Sequence, residues 1–183
     1  TDPAWVRPYW VERQTDPRSV DFVAGTAGED PRNGTHRNWT TLGTLAAPER
    51  ATIDPRGLLA PSVDRWSIDW WIGAEDTWHV PSRDEVVRQR LVGEAPVVET
   101  AMRVPGGDAL HRAYGYNSTD LGPCVVIEIE NRTAVPFAVV LAIRPYDVLG
   151  RGSVRSVDLL DTTVVVNGHP ALVLPKAPAH TVA

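Results

Sequence analysis

Acidic side chains lie among the tryptophans of residues 66–80, WSIDWWIGAEDTWHV. A glycosidase needs one carboxylic acid to protonate the leaving oxygen and a second carboxylate as base or nucleophile, about 5 to 10 Å away. Asp69, Glu75 and Asp76 supply carboxylates, but Glu75 and Asp76 are adjacent in sequence and would diverge on a strand or a turn. The spacing therefore favours a solvated turn over a catalytic pair.

The histidines and the cysteine do not form a recognisable metal-binding or catalytic motif either. The five histidines form neither His-x-His nor His-Glu-x-x-His, the spacings that would place two imidazoles on one metal, so we expect no metal ion and no other cofactor. Asp76/His79 and Asp108/His111 repeat the pattern Asp-x-x-His, but residues i and i+3 of a strand point to opposite faces. Cys124 has no adjacent basic residue and is predicted to be a small buried hydrophobic side chain.

The tryptophans divide between two predicted faces of one strand. Trp66, Ile68 and Trp70 alternate onto one face, which favours the core, whereas Trp71 falls on the other face and Trp78 follows a turn. Exposed indoles stack on sugar rings or anchor contacts between domains. We therefore take a set of four residues as the candidate contact site. It consists of Trp71, Trp78, Asp76 and His79.

A period of two between apolar and polar residues is the main pattern of the second half of the chain. The runs are EVVRQRLV, VVETAMRV, ALHRAYGY, CVVIEIE, FAVVLAIR, SVRSVDLL, TTVVVN and ALVLP, with glycine, proline and asparagine between them. Many short strands joined by tight turns indicate an all-β fold, an antiparallel β-sandwich with little helix. The core is expected to include Trp66, Ile68, Trp70, Val126, Val139, Leu141, Val165 and Leu172.

Local signals set the expected boundaries. Residues 1–62 are rich in Asp-Pro turns and are predicted to be mostly loop, with short strands at 20–25 and 38–45. One β-sandwich domain is expected over 1–174, and the Pro/Ala-rich residues 175–183 are interpreted as the start of a linker to a missing downstream domain.

Two segments carry more specific signals. Ser82 and Glu85 form a capping-box pattern that would open a helix, but the alternation that follows favours a strand. Asn167-Gly168, between two apolar runs, predicts a type I′ hairpin turn, and Glu128 and Glu130 are expected on the wet face of their strand.

Charge and composition exclude several classes of partner. The net charge is -5, with 18 basic and 23 acidic residues and no basic cluster, so neither nucleic acid nor an acidic membrane surface is an expected partner. No apolar run approaches the roughly 20 residues of a membrane-spanning helix, and no signal peptide is recognised. A single cysteine excludes an internal disulfide, and we expect a cytoplasmic protein.

Several motifs between residues 37 and 146 resemble a group of large bacterial proteins similar to glucoamylases and glycogen-debranching enzymes. They are RNWTTLG, DPRGLL, WSIDWWIGAEDTWHVPSR, VRQRLV, VVETAMRVPGGDALHRAYG and EIENRTAVPFAVVLAIRPY. The resemblance implies an amino-terminal β-sandwich of the super-sandwich type, with the catalytic acids in a following α/α barrel. No catalytic residue is implied here.

Two functions remain open from the sequence. The first is a non-catalytic amino-terminal domain of a glycosidase-like protein, with the downstream α/α-barrel domain of the same polypeptide as its partner. The alternative is a stand-alone carbohydrate-binding module that binds α-glucan, with Trp71 and Trp78 stacking on sugar rings and Asp76 and His79 binding sugar hydroxyls.

Overall fold

The computed structural model describes residues 7–24, 39–61 and 66–182. Within these ranges the fold is all-β and antiparallel with one short helix, as the alternation predicts. Over the same ranges, no helix has the length and apolar character needed to cross a membrane. In chain order the elements are α1 (Tyr9–Thr15), β1 (Thr40–Leu42), β2 (Ala51–Ile53), β3 (Leu59–Ala60), β4 (Ser67–Gly73), β5 (Trp78–His79), β6 (Val87–Leu91), β7 (Val98–Val104), β8 (Gly107–Ser118), β9 (Gly122–Arg132), β10 (Ala138–Arg144), β11 (Val157–Leu160), β12 (Thr163–Val166) and β13 (His169–Val173).

In the described ranges the strands form three antiparallel sheets. The first has the order β1-β2-β3-β4-β10, and β5 pairs with one end of β4. The second is a meander of consecutive strands, β6-β7-β8-β9, and the third is β11-β12-β13. The pairing of β4 with β10 brings distant parts of the chain side by side within one sheet, through seven consecutive residue pairs.

The hydrophobic core lies between the first two sheets. Trp70 and Ile72 of β4 pack with Met102 and Ala109 of the four-stranded sheet. A neighbouring cluster joins β1, β2 and β3 to β7 and β8. The third sheet packs at the other end of β4 through Val166. This arrangement gives the sandwich-like fold that the sequence predicts.

Half of the predicted core is confirmed as buried. Those residues are Trp66, Ile68, Trp70 and Val165. Val126, Leu141 and Leu172 are only partly buried. The prediction for Val139 is wrong, since 43% of this residue is exposed. Val139 faces Ile72 across the strand pair, but β10 is the edge of its sheet, so its other flank has no neighbouring strand to cover it.

The first third of the chain holds more structure than its turn residues predict. Helix α1 follows Pro8, whose fixed φ suits a helix start, and buries Trp10, Val11 and Gln14. The predicted strand at 20–25 is wrong: residues 20–24 form turns, and the backbone N–H of Val23 donates to the Gln14 carbonyl of α1. Residue 25 lies outside the described ranges.

Other local predictions hold in part or in full. The strand expected at 38–45 is shortened to β1, and Asn38 lies outside the described residues. The segment after Ser82 is turn followed by strand β6, which confirms the strand over the helix. Asn167 and Gly168 have φ values of 53° and 83°, the two positive angles that a type I′ turn requires.

Candidate functional site

The turn and second strand of the β4–β5 hairpin carry three of the four candidate residues, and Trp71 lies on β4 itself. Strand β5 pairs with the end of β4 so that Ile72 faces His79 and Gly73 faces Trp78. Because consecutive strand residues point to opposite sides, Trp78 and His79 leave the hairpin in opposite directions. The hairpin therefore does not present the indole and the imidazole on one surface.

Trp78 is the exposed aromatic side chain of this hairpin, with 55% of its surface open. Its ring lies directly on Gly73, where an added Cβ would approach the ring carbons Cη2 and Cζ3 to 3.0 Å. Glycine at this position lets the indole approach the backbone of β4 closely. The indole is thus in contact with β4 while more than half of the residue stays exposed.

His79 lies between two carboxylates. Its Nε2 is 3.1 Å from Asp76 Oδ1, and its Nδ1 is 3.3 Å from Asp84 Oδ1. The expectation that Asp76 and His79 point apart is therefore wrong, because Asp76 lies in the turn before β5 and not on a strand. Asp84 was not among the candidates, since only the turn after β5 brings it back to the imidazole.

The charges around His79 act on its protonation. Burial of the imidazole, the largest single effect, lowers the pKa of His79, but hydrogen bonds to Asp76 and Asp84 together raise it above its usual value. The pKa of Asp76 is lowered, chiefly by its hydrogen bond with His79. Asp76 and His79 therefore stabilise each other in their charged forms.

Trp71 lies on the face of β4 opposite Trp70, the same face as Gly73 and its partner Trp78, and is partly buried. The guanidinium carbon of Arg144 lies 5.8 Å from the Trp71 ring centroid, within cation–π range. Beside them Asp69 is almost fully buried, and burial raises the pKa of its carboxyl although Trp71, Arg144 and the backbone N–H of Trp70 all oppose that shift. Trp71 is thus part of a packed polar layer and not an open aromatic surface.

Comparison with protein-family models, with curated proteins and with solved structures gave no match. The chemistry of the site therefore rests on the contacts of its own side chains. Within the described ranges no group of three or more histidine, cysteine or acidic side chains is arranged to hold a metal ion.

The core contains a histidine that the sequence did not single out as a core residue. His111 of β8 stacks on Trp70 of β4, with ring centroids 5.2 Å apart, and burial lowers its pKa to about 4. Its sequence neighbour in the Asp-x-x-His pattern, Asp108, instead pairs with Arg88. The prediction that this second pair points apart is therefore confirmed.

A buried turn of the DPRGLL motif lies against the same tryptophan. Asp54 Oδ1 accepts the backbone N–H groups of Arg56 and Leu58, at 2.7 and 2.9 Å, and the indole N–H of Trp70 donates to the Arg56 carbonyl at 3.1 Å. Burial raises the pKa of Asp54 to about 7. Gly57 completes the turn with a φ of 88°, and a Cβ there would lie 2.5 Å from the Trp70 indole nitrogen.

Ion pairs cross the outer face of the four-stranded sheet. The carboxylate of Glu99 forms ion pairs with Arg90 of β6 and Arg112 of β8, each at 2.7 Å. Arg112 also forms an ion pair with Glu130 at 2.8 Å. Burial opposes charge on Glu99, but the two arginines together lower its pKa. Glu128 and Glu130 lie on this face, as predicted, and Glu128 accepts a hydrogen bond from the Tyr114 hydroxyl.

Cys124 is a free thiol near the start of β9 and is only partly buried, so the expectation of a buried side chain is wrong. It pairs with Tyr116 where β8 and β9 extend beyond the body of the sheet. The sequence around Cys124 is apolar enough to suggest a core strand, but burial depends on what lies above that part of the sheet.

Proposed function

We propose that this chain is a non-catalytic β-sandwich domain that packs against and positions the α/α-barrel domain of a larger glycosidase-like polypeptide. The proposal joins the resemblance of the sequence motifs to the chemistry of their side chains. The observation that carries it is the Trp78 indole, which is more than half exposed and packs against Gly73 of β4. An exposed tryptophan is the kind of residue that anchors protein interfaces.

The acidic side chains within the motifs support a structural role for them. Asp54 closes a buried turn, Glu99 joins two arginines across three strands, and Asp76 binds His79. Each carboxylate is engaged by groups of the same chain that hold the fold together. The motifs that resemble those of glycosidase-like proteins therefore have side chains engaged in holding this fold together.

Binding to the separately produced downstream region of the natural polypeptide tests the proposal. We expect calorimetry to detect association, and Trp78→Ala to weaken it by at least about 30-fold, the loss typical of an interface anchor. Leu45→Ala is the matched control, because Leu45 is also apolar and exposed but lies in the turn between β1 and β2. A natural polypeptide without a downstream helical domain would overturn the proposal, as would an unchanged affinity for Trp78→Ala.

The exposed face of Trp78 also fits the alternative, a module that binds α-glucan by stacking on a sugar ring. In that case soluble glucans should shift the tryptophan fluorescence of the isolated chain, and Trp78→Ala should abolish the shift. The hydrogen bonds expected from His79 would have to be rearranged, because both of its ring nitrogens already face carboxylates. The docking function predicts no response to glucans.

A further inference from the structure

The contacts of His79 join the turn before β5 to the turn after it, in which the backbone N–H of Asp84 also donates to the Val80 carbonyl at 3.0 Å. Asp76 belongs to the turn of the β4–β5 hairpin, whereas Asp84 belongs to the segment between β5 and β6. Both carboxylate oxygens are within hydrogen-bond distance of the same imidazole, one at each ring nitrogen. The imidazole is therefore a bridge between the turn and β5, residues 74–79, which we call the Trp78 hairpin, and residues 80–84, which we call the Asp84 segment.

Such a bridge needs both ring nitrogens to carry protons. A neutral imidazole has one N–H and one lone pair, so one carboxylate would face a lone pair at about 3 Å. The doubly protonated ring donates to both carboxylates and carries a charge opposite to theirs. The titratable groups that act on it are Asp76 from the turn and Asp84 from the following segment.

The Asp84 segment is itself held by neighbouring parts of the fold. Arg56 of the buried turn donates to the Asp84 carbonyl at 2.8 Å, and Arg83 pairs with Glu12 of α1 at 3.2 Å. These contacts do not depend on the protonation of the imidazole. Strand β5 pairs with β4 at only two positions, so the part of the hairpin that carries Trp78 gains freedom when the bridge opens.

We infer that His79 is a pH-sensitive clamp, which in its doubly protonated form holds the Trp78 hairpin to the Asp84 segment and releases it when the ring loses a proton. The inference concerns the isolated chain and holds whether or not Trp78 docks against another domain. Since the pKa of folded His79 is raised, the stabilisation is complete below the unfolded value near 6.5 and is lost as the pH rises through the folded value.

Nuclear magnetic resonance of the imidazole nitrogens tests the clamp directly. We expect His79 to titrate with a pKa above about 6.5, and Asp84→Asn and Asp76→Asn each to lower that pKa by about half a unit or more. The ring resonances of His169, on β13 of a different sheet, are the internal control and should be unchanged by either substitution. A His79 pKa at or below 6.5 that neither variant changes would overturn the inference.

The release of the hairpin has its own readout. The difference between the emission of the parent chain and that of Trp78→Phe reports on Trp78, and it should change over the pH range in which His79 titrates. His79→Gln cannot titrate and should remove that change while circular dichroism shows an unaltered fold. Emission that follows pH equally in His79→Gln would show that another group moves the indole and would contradict the clamp.

Discussion

The imidazole of His111 lies on the indole of Trp70, with ring centroids 5.2 Å apart and planes at 29°. The two rings come from different sheets, β8 and β4, so their contact joins the two layers of the sandwich. The indole N–H of Trp70 also binds the Arg56 carbonyl. One side chain therefore connects both sheets and the buried turn.

Removing this indole should be among the most damaging single changes. Trp70→Ala is expected to lower the free energy of unfolding by about 3 to 5 kcal/mol, because it leaves a cavity and removes the partner of a buried carbonyl. Urea unfolding measures the effect. Trp78→Ala is the control, since that indole is more than half exposed, and it should change stability by less than about 1 kcal/mol. Equal losses in both variants would place Trp70 outside the core.

His111 should make the fold sensitive to acid. Its pKa in the folded chain is about 4, below the usual 6.5, so the unfolded state takes up a proton first and stability falls as the pH drops from about 6.5 towards 4. The full difference is roughly 3 kcal/mol. His111→Phe keeps an aromatic ring on Trp70 and should remove this part of the pH dependence. If the stability of the variant still fell with decreasing pH in parallel with the parent, the acid sensitivity would belong to other groups.

Asp54 should make the fold less stable at high pH, the opposite of the acid sensitivity that His111 produces. Its folded pKa of about 7 lies above the usual value of 3.8, so stability is fully present at low pH and is lost as the pH rises from about 4 through 7. An asparagine can accept the same two backbone N–H groups without a charge. Asp54→Asn should therefore gain stability relative to the parent at pH 8, by up to about 4 kcal/mol, and much less at pH 4. Unfolding curves at the two pH values measure this, and a uniform loss at both would contradict it.

Two glycines with positive φ separate backbone strain from steric contact. Gly57 and Gly168 have φ values of 88° and 83°, but a Cβ at Gly57 would lie 2.5 Å from the Trp70 indole nitrogen, whereas a Cβ at Gly168 has no neighbour within 4 Å. Both alanine variants should lose about 1 kcal/mol from strain. Gly57→Ala should lose at least about 2 kcal/mol more, because Trp70 must move. Similar thermal midpoints for the two variants would show that the turn adjusts freely.

The sequence predicts the strands well where one face of each is buried. From β6 to β9 and in the β12–β13 hairpin, alternation and turn residues together mark the elements. Helix α1 is missed because it is only seven residues long and has no side-chain N-cap, so its main signal is the close spacing of Trp10, Val11 and Gln14. Val139 is missed because alternation cannot distinguish an edge strand from a central one.

The candidate site is less predictable for a different reason. Spacing along a strand correctly separates Asp108 from His111, but it fails for Asp76 and His79, where a turn reverses the chain. The role of Asp84 depends on the path of the segment after β5, and the exposed position of Trp78 depends on its contact with Gly73. Contacts made by turns depend on the path of the chain in space, which local sequence periodicity does not predict.

The pairing of β4 with β10 constrains the order in which the strands can pair during synthesis of the chain. The four consecutive strands β6 to β9 lie between them in the chain and can pair through short loops, which close quickly. However, the tryptophan-rich β4 leaves the ribosome long before β10 is synthesised. Until then, the backbone N–H and C=O groups on one edge of β4 have no partner strand. A nascent chain halted between residues 80 and 137 should therefore be the form most prone to aggregate and most dependent on chaperones.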